Sequence, residues 1–177
     1  RFGSALDTVG DIDGDGRVDL LVGAERAGLT LDDDDPGAAY IVTHAGLGWP
    51  SSEAVDPRTV LWGEFALDWA GAKVLAQDVN GDDAVDLWVS AYNRSDTEDG
   101  AGAVYLVLGP IPSGAIELSD SSDLILHGED MGGAFGYGLG PAGDVDDDGL
   151  DDVLIGAPGG GGWAGHVMLI QGADLPL

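Results

Sequence analysis

Three segments of nine residues, DIDGDGRVD at 11–19, DVNGDDAVD at 78–86 and DVDDDGLDD at 144–152, each carry Asp or Asn at positions 1, 3, 5 and 9. The flanking sequence repeats with them. FGSALDTVG leads into the first from Phe2, WAGAKVLAQ into the second from Trp69 and FGYGLGPAG into the third from Phe135, without gaps. The aromatic positions are therefore 67 residues apart (2 to 69) and 66 apart (69 to 135). Each acidic segment runs into a short apolar segment, VDLLVGA, VDLWVSA or DDVLIGA, and later into GAAYIVT from Gly37, GAVYLVLG from Gly102 or GHVMLIQG from Gly165. Two copies end in TVLWGE from Thr59 and LILHGED from Leu124. A self-similar period of this length marks a repeat architecture.

The apolar segments are short, rich in β-branched residues and bounded by Gly and Asp, which predicts strands buried on both faces. Helical spacing is not sustained anywhere. Each copy reads as four short antiparallel strands, the acidic segment being the hairpin between the first two. Four-stranded units stacked face to face around an axis are the blades of a β-propeller, so the expected class is all-β, in three blades at about 1–66, 67–132 and 133–177 of one segment. The alternative architecture is a β-sandwich with coincidental repeats.

The hairpins have the chemistry of a hard-cation site. Calcium takes six to eight oxygen ligands at about 2.3–2.6 Å, and short carboxylates on alternate residues of a tightly curved loop converge on one point. The expected ligands are Asp11, Asp13, Asp15 and Asp19; Asp78, Asn80, Asp82 and Asp86; and Asp144, Asp146, Asp148 and Asp152. Position 7 contributes a backbone carbonyl, from Arg17, Ala84 and Leu150. One Ca²⁺ per repeat gives three sites. An EF-hand needs Glu at position 12 and flanking helices, whereas Val22, Val89 and Ile155 stand there. Copy 2 is the weakest, because Asn80 lowers the charge and Asp83 replaces a turn glycine.

These residues resemble the FG-GAP repeats of integrin α-subunit propellers and their bacterial relatives, some found in surface adhesins and beside secreted hydrolases. The FG position matches Phe2-Gly3, Trp69-Ala70 and Phe135-Gly136, and the GAP position matches Gly23-Ala24-Glu25, Ser90-Ala91-Tyr92 and Gly156-Ala157-Pro158. The resemblance implies a propeller with structural calcium in the hairpins between strands 1 and 2, a protein or glycan interaction and adhesion role, and an extracellular or cell-surface location. An alternative is a non-catalytic accessory propeller of a secreted hydrolase or lyase whose catalytic domain lies outside the chain.

Three blades fall short of the usual four to eight. Outer strands begin near Thr59 and Asp123, so the third copy lacks one within 177 residues, a partial or half propeller. The chain opens on Arg1-Phe2 and reads as an excerpt or a processed product. Exposed flanks predict either self-association, most simply a dimer of six blades, or further blades of a longer chain.

The formal net charge of -27, from 33 acidic against 6 basic residues, opposes contact with a nucleic-acid backbone. No apolar run reaches the length of a membrane span. No enzyme is expected: the carboxylates are committed to the hairpins, and His44, His127 and His166 are isolated. GYGLG from Gly136 opens a strand rather than a helix, which removes it as a phosphate loop. Ligand contacts are expected on the face opposite the hairpins, at Asp32 to Asp35, Glu64, Tyr92, Arg94, Asp96, Glu98, Asp99, Glu129 and the loop around Trp163. Trp69 and Trp88 read as core, and Trp49 and Trp163 as loop residues.

Overall fold

A computed structural model of the chain describes residues 2–28, 35–44, 57–95 and 97–175. Asp32, Asp33, Asp34, Trp49 and Asp96, and the side chain of Trp163, lie outside the described residues. The first copy forms β1 (Ala5–Thr8), β2 (Leu20–Ala24), β3 (Ala38–Val42) and β4 (Thr59–Trp62). The second forms β5 (Lys73–Gln77), β6 (Asp86–Ala91), β7 (Ala103–Val107), β8 (Gly114–Glu117) and β9 (Leu124–His127), and the third β10 (Gly138–Gly143), β11 (Asp152–Ala157) and β12 (His166–Ile170). The sheets run β1-β2-β3-β4-β8, β5-β6-β7-β9 and β10-β11-β12. Apart from the β4–β8 pair, every neighbouring pair is antiparallel, which is the blade topology of a partial β-propeller.

The blades stack face to face, and the core lies between them. One cluster joins Leu21, Ile41 and Leu61 of the first blade to Val74, Leu87 and Val89 of the second. Another joins Trp88, Val104 and Leu106 of the second to Phe135, Val153 and Ile155 of the third. The central blade is covered on both sides, so all six residues of β6 are buried. That is the physical reason its sequence, DLWVSA, shows no alternation. Each fully buried Leu, Ile or Phe contributes about 1.5–3 kcal/mol relative to leaving it exposed.

Two features depart from the sequence reading. The ungapped alignment is one residue out at the start of copy 2. Ala5 pairs with Gly23 and Gly138 with Gly156, whereas the residue opposite Ser90 is Lys73, not Ala72. Copies 1 and 3 hold one more residue between the first strand and the hairpin. In the third it is Ala142, at the register shift between Pro141 and Gly143. Consequently Ala70-Gly71, not Trp69-Ala70, occupies the FG position. The Ala70 N–H donates to the Pro36 carbonyl as the Phe135 N–H donates to Ala101, both at 2.8–2.9 Å, and Gly3, Gly71 and Gly136 share positive φ.

The other departure is β8, which the four-strand reading of copy 2 does not contain. It lies in the connection between the third and fourth strands of blade 2, yet pairs in parallel with β4 of blade 1, Thr59 opposite Gly114 through Trp62 opposite Glu117. Ile116 and, just after the strand, Leu118 are buried. Thr59 Oγ1 donates to the Pro112 carbonyl at 2.7 Å and Arg58 Nη1 to that of Ile111 at 3.1 Å, fastening the connection to the neighbouring blade.

Candidate metal centres and the opposite face

The three hairpins share one backbone design. Positions 4 and 6 adopt positive φ in all of them: Gly14 and Gly16, Gly81 and Asp83, Asp147 and Gly149. Two left-handed residues separated by one reverse the chain sharply enough to bring positions 1, 3 and 5 round the same point. The position-1 carboxylate organises the turn. Asp11 Oδ1 accepts from the Gly14 and Asp15 amides at 2.8 and 2.9 Å, and Oδ2 from Gly16 at 2.8 Å. Asp78 accepts from the Gly81 and Asp83 amides, and Asp144 from those of Asp148 and Gly149. Position 5 in turn accepts from the amide of position 7, Arg17, Ala84 or Leu150, at 2.8–2.9 Å.

In the first and third hairpins, one ligand atom from each of Asp11, Asp13 and Asp15, and from each of Asp144, Asp146 and Asp148, lies within 4.8 Å of the others. In the second, Asn80 takes the place of a carboxylate; its Oδ1 accepts from the Asp82 amide and its Nδ2 donates to Asp82 Oδ2. The donor set is oxygen throughout, which fits calcium rather than a soft transition metal.

The ninth-position Asp is placed differently. Asp19, Asp86 and Asp152 are buried, and each holds two backbone amides with its two oxygens. One comes from position 2 of its own hairpin: Ile12, Val79 or Val145, at 2.9–3.0 Å. The other lies just past the third strand of the same blade: His44, Gly109 or Gly172, at 2.8–3.0 Å. This carboxylate therefore ties the hairpin to the neighbouring connection on the same face. Burial raises the Asp86 carboxyl above the ordinary carboxylate range; the Gly109 and Val79 amides oppose the shift, and Asp82 and Asp78 add to it.

A non-glycine residue in the left-handed region costs about 1 kcal/mol. Asp83 stands there at φ 66° while its equivalents Gly16 and Gly149 do not carry that cost. Asp83→Gly is therefore expected to raise the melting temperature by about 2–4 °C. A thermal melt showing no change or a decrease would refute this account of the second hairpin.

The opposite face is more ordered by aromatics than the sequence suggested. Trp69, displaced from the FG position, is half-buried and meets Tyr92 edge-on with ring centroids 5.4 Å apart, and Tyr92 meets Tyr137 at 5.1 Å. Arg26 lies over the Trp69 ring at 5.5 Å and Lys73 by Tyr137 at 6.0 Å. Trp88 is core, as expected. Arg94, expected as a ligand contact, is instead buried. It pairs with Glu64 at 2.6 Å, donates to the Tyr105 hydroxyl and approaches Asp68 at 3.9 Å, clamping the entry to blade 2. Sequence signals for this burial were absent, because Arg94 follows β6 in a polar loop.

Comparison with known proteins agrees with this geometry. The family model for the FG-GAP repeat matches residues 2–42 and 135–169, skipping the copy with the one-residue offset. Mouse (Mus musculus) integrin alpha-IIb is 33% identical over 176 residues, covering 96% of this chain and 15% of that protein. Chicken (Gallus gallus) integrin alpha-V is 31% identical over 158 residues, 86% of this chain and 13% of that protein. Integrin alpha-4 of Xenopus laevis is 40% identical over 106 residues, 59% of this chain and 10% of that protein. The chain thus spans 15% or less of the length of these relatives. Among the described residues no helix is long and apolar enough to cross a membrane.

Proposed function

The chain carries FG-GAP repeats in an integrin-like propeller arrangement, and from that premise we propose that it is a non-catalytic interaction module held in shape by calcium. The segment 1–177 is one propeller unit, with blades at about 1–66, 67–132 and 133–177. Each blade binds one Ca²⁺, through positions 1, 3, 5 and 9 and the carbonyl of Arg17, Ala84 or Leu150. The observation that carries the reading is the convergence of Asp11, Asp13 and Asp15, and of Asp144, Asp146 and Asp148, in hairpins of one backbone design.

The integrin names of the relatives support an adhesive role at the cell surface or outside the cell. A protein or glycan ligand is proposed for the face away from the hairpins. There the Trp69, Tyr92 and Tyr137 row offers flat apolar rings beside exposed acids, the usual make-up of a surface that stacks on sugars or anchors side chains. A second copy of the chain is a further proposed partner. Calcium titration with equilibrium counting of bound metal tests the metal reading: three ions per chain are expected, with magnesium a poor competitor. Failure to bind any calcium at millimolar concentration would sink it.

A further inference from the structure

Position 3 of the second hairpin departs from its copies: Asn80 stands where the others have Asp13 and Asp146. The next residue is Gly81. Asparagine followed by glycine is the pair most prone to lose ammonia, because glycine has no Cβ to hinder attack of its nitrogen on the preceding side-chain amide. The chain holds two asparagines, and the other, Asn93, is poorly placed for the same reaction. It precedes Arg94, whose side chain is buried and whose N–H donates to the Ala91 carbonyl at 3.0 Å.

The closed hairpin restrains both reacting groups at Asn80-Gly81. The Gly81 N–H donates to Asp78 Oδ1 at 2.7 Å, so the hydrogen of the attacking nitrogen is tied to the position-1 carboxylate. The Asn80 amide is held by Asp82: its Oδ1 accepts from the Asp82 N–H at 3.0 Å and its Nδ2 donates to Asp82 Oδ2 at 3.2 Å. The same guard recurs where a glycine follows an acid in the other turns. Gly14 and Gly16 donate to Asp11 at 2.8 Å, and Gly149 to Asp144 at 2.9 Å. Those pairs carry an ionised carboxylate, a poor electrophile, which leaves Asn80 as the reactive member of the set. Water reaches the pair, since Asn80 is half-buried and Gly81 exposed. The restraint is therefore only as strong as the turn, in which Asp78 and Asp82 repel each other when no cation sits between them.

We propose that Asn80-Gly81 is a modification site, converted through a cyclic imide when the second hairpin opens and protected while a cation holds it closed. The Gly81 nitrogen gives up its proton and bonds to Asn80 Cγ; the Cγ–Nδ2 bond breaks, and Nδ2 leaves with that proton as ammonia. Water then opens the imide. Addition at Cγ restores the main chain and leaves an aspartate side chain at position 80, the residue type the other copies already have. Addition at the backbone carbonyl carbon routes the chain through Cγ as isoaspartate. The first product completes the carboxylate set and adds a negative charge, which favours a divalent cation. The second lengthens the loop backbone and spoils the turn. The protective part of this inference rests on the calcium reading above; the site itself does not.

The test follows the mass of the 78–86 peptide after incubating the full chain at mildly alkaline pH with calcium, with chelator, or unfolded in guanidinium chloride. Exchange of the amide NH2 for OH is read as a mass gain at Asn80, and isoaspartate as a separate chromatographic peak. Conversion is expected to be fastest in the unfolded chain, slower in chelator and several-fold slower again with calcium, with Asn93 unchanged throughout. Asn80→Gln, which would have to close a larger ring, is expected to show no gain even in denaturant, where folding plays no part. No gain at Asn80 in the unfolded chain would overturn the site. Equal rates in folded and unfolded protein would overturn the guard by Asp78 and Asp82. If calcium binds in the titration above yet conversion runs as fast as in chelator, cation protection fails and the calcium reading stands. If no calcium binds, that reading fails with the protection it implies, and the folded-to-unfolded ratio alone decides the guard.

Discussion

Removing divalent cations with a chelator is expected to lower the melting temperature of this chain by roughly 6–30 °C, with calcium restoring it and magnesium doing so poorly. The size follows from linkage. A site at 100 times its dissociation constant adds about 2.7 kcal/mol to folding, and a site of millimolar affinity, as is common outside cells, adds nearer 1 kcal/mol. Three sites therefore contribute roughly 3–8 kcal/mol against a typical total of about 5–15 kcal/mol. For a domain of this length each kcal/mol corresponds to about 2–4 °C. The physical origin is the crowding of Asp11, Asp13 and Asp15, and of Asp144, Asp146 and Asp148, within 4.8 Å. Without a cation each close carboxylate pair repels by about 1 kcal/mol even in a water-like dielectric. A calorimetric scan unchanged by chelator would refute the stabilising role.

Asp86→Ala has the next largest expected effect, and its signature is that it persists in chelator. Asp86 is buried and accepts the Val79 and Gly109 amides at 3.0 and 2.8 Å, so truncation strands two donors. Each unsatisfied buried donor costs about 1–3 kcal/mol, giving a loss of roughly 2–6 kcal/mol in metal-free protein. Asp13→Ala is the contrasting change. Asp13 is exposed and accepts one local amide, from Asp15 at 3.1 Å. Its removal relieves repulsion, and in chelator it leaves the stability unchanged or slightly raised. With calcium present both variants are expected to destabilise. Chemical denaturation in the two conditions separates the roles; equal losses for Asp86→Ala and Asp13→Ala in chelator would show that the ninth position has no tethering role.

The hairpins and the strands behind them were legible because both are local. An alternation of Asp with small residues fixes where the chain turns, and a dense β-branched run after it fixes a buried strand. What sequence could not supply depends on residues far apart. The one-residue offset in copy 2 leaves the aromatic-to-Asp spacing intact, because the additional residue of the other copies sits in a bulge that only pairing reveals. Trp69 therefore looked like a core plug when Ala70 fills that place. The strand Gly114–Glu117 is visible as a strand only through its partner at Thr59–Trp62, more than fifty positions back. Arg94 sits in a polar loop, and its burial is decided by Glu64 and Asp68 from the preceding connection. In the acidic hairpins, positions 1, 3 and 5 follow from composition, whereas the tether made by position 9 depends on a remote amide.

The parallel strand at Gly114–Glu117 has a consequence for how the molecule is made. During synthesis from the N-terminus, the first blade can zip its own hairpins as soon as Trp62 emerges, but its outer edge stays open until some fifty further residues have been translated. The repeat that is visible in the sequence is thus not the unit that folds. A cut at the sequence boundary near residue 66 would separate the first blade from the strand that shields it, leaving a bare ladder of amides and carbonyls prone to pairing with another chain. Recombination or engineering of these repeats should move the break past Ser121, so that the first blade travels with the strap the second encodes.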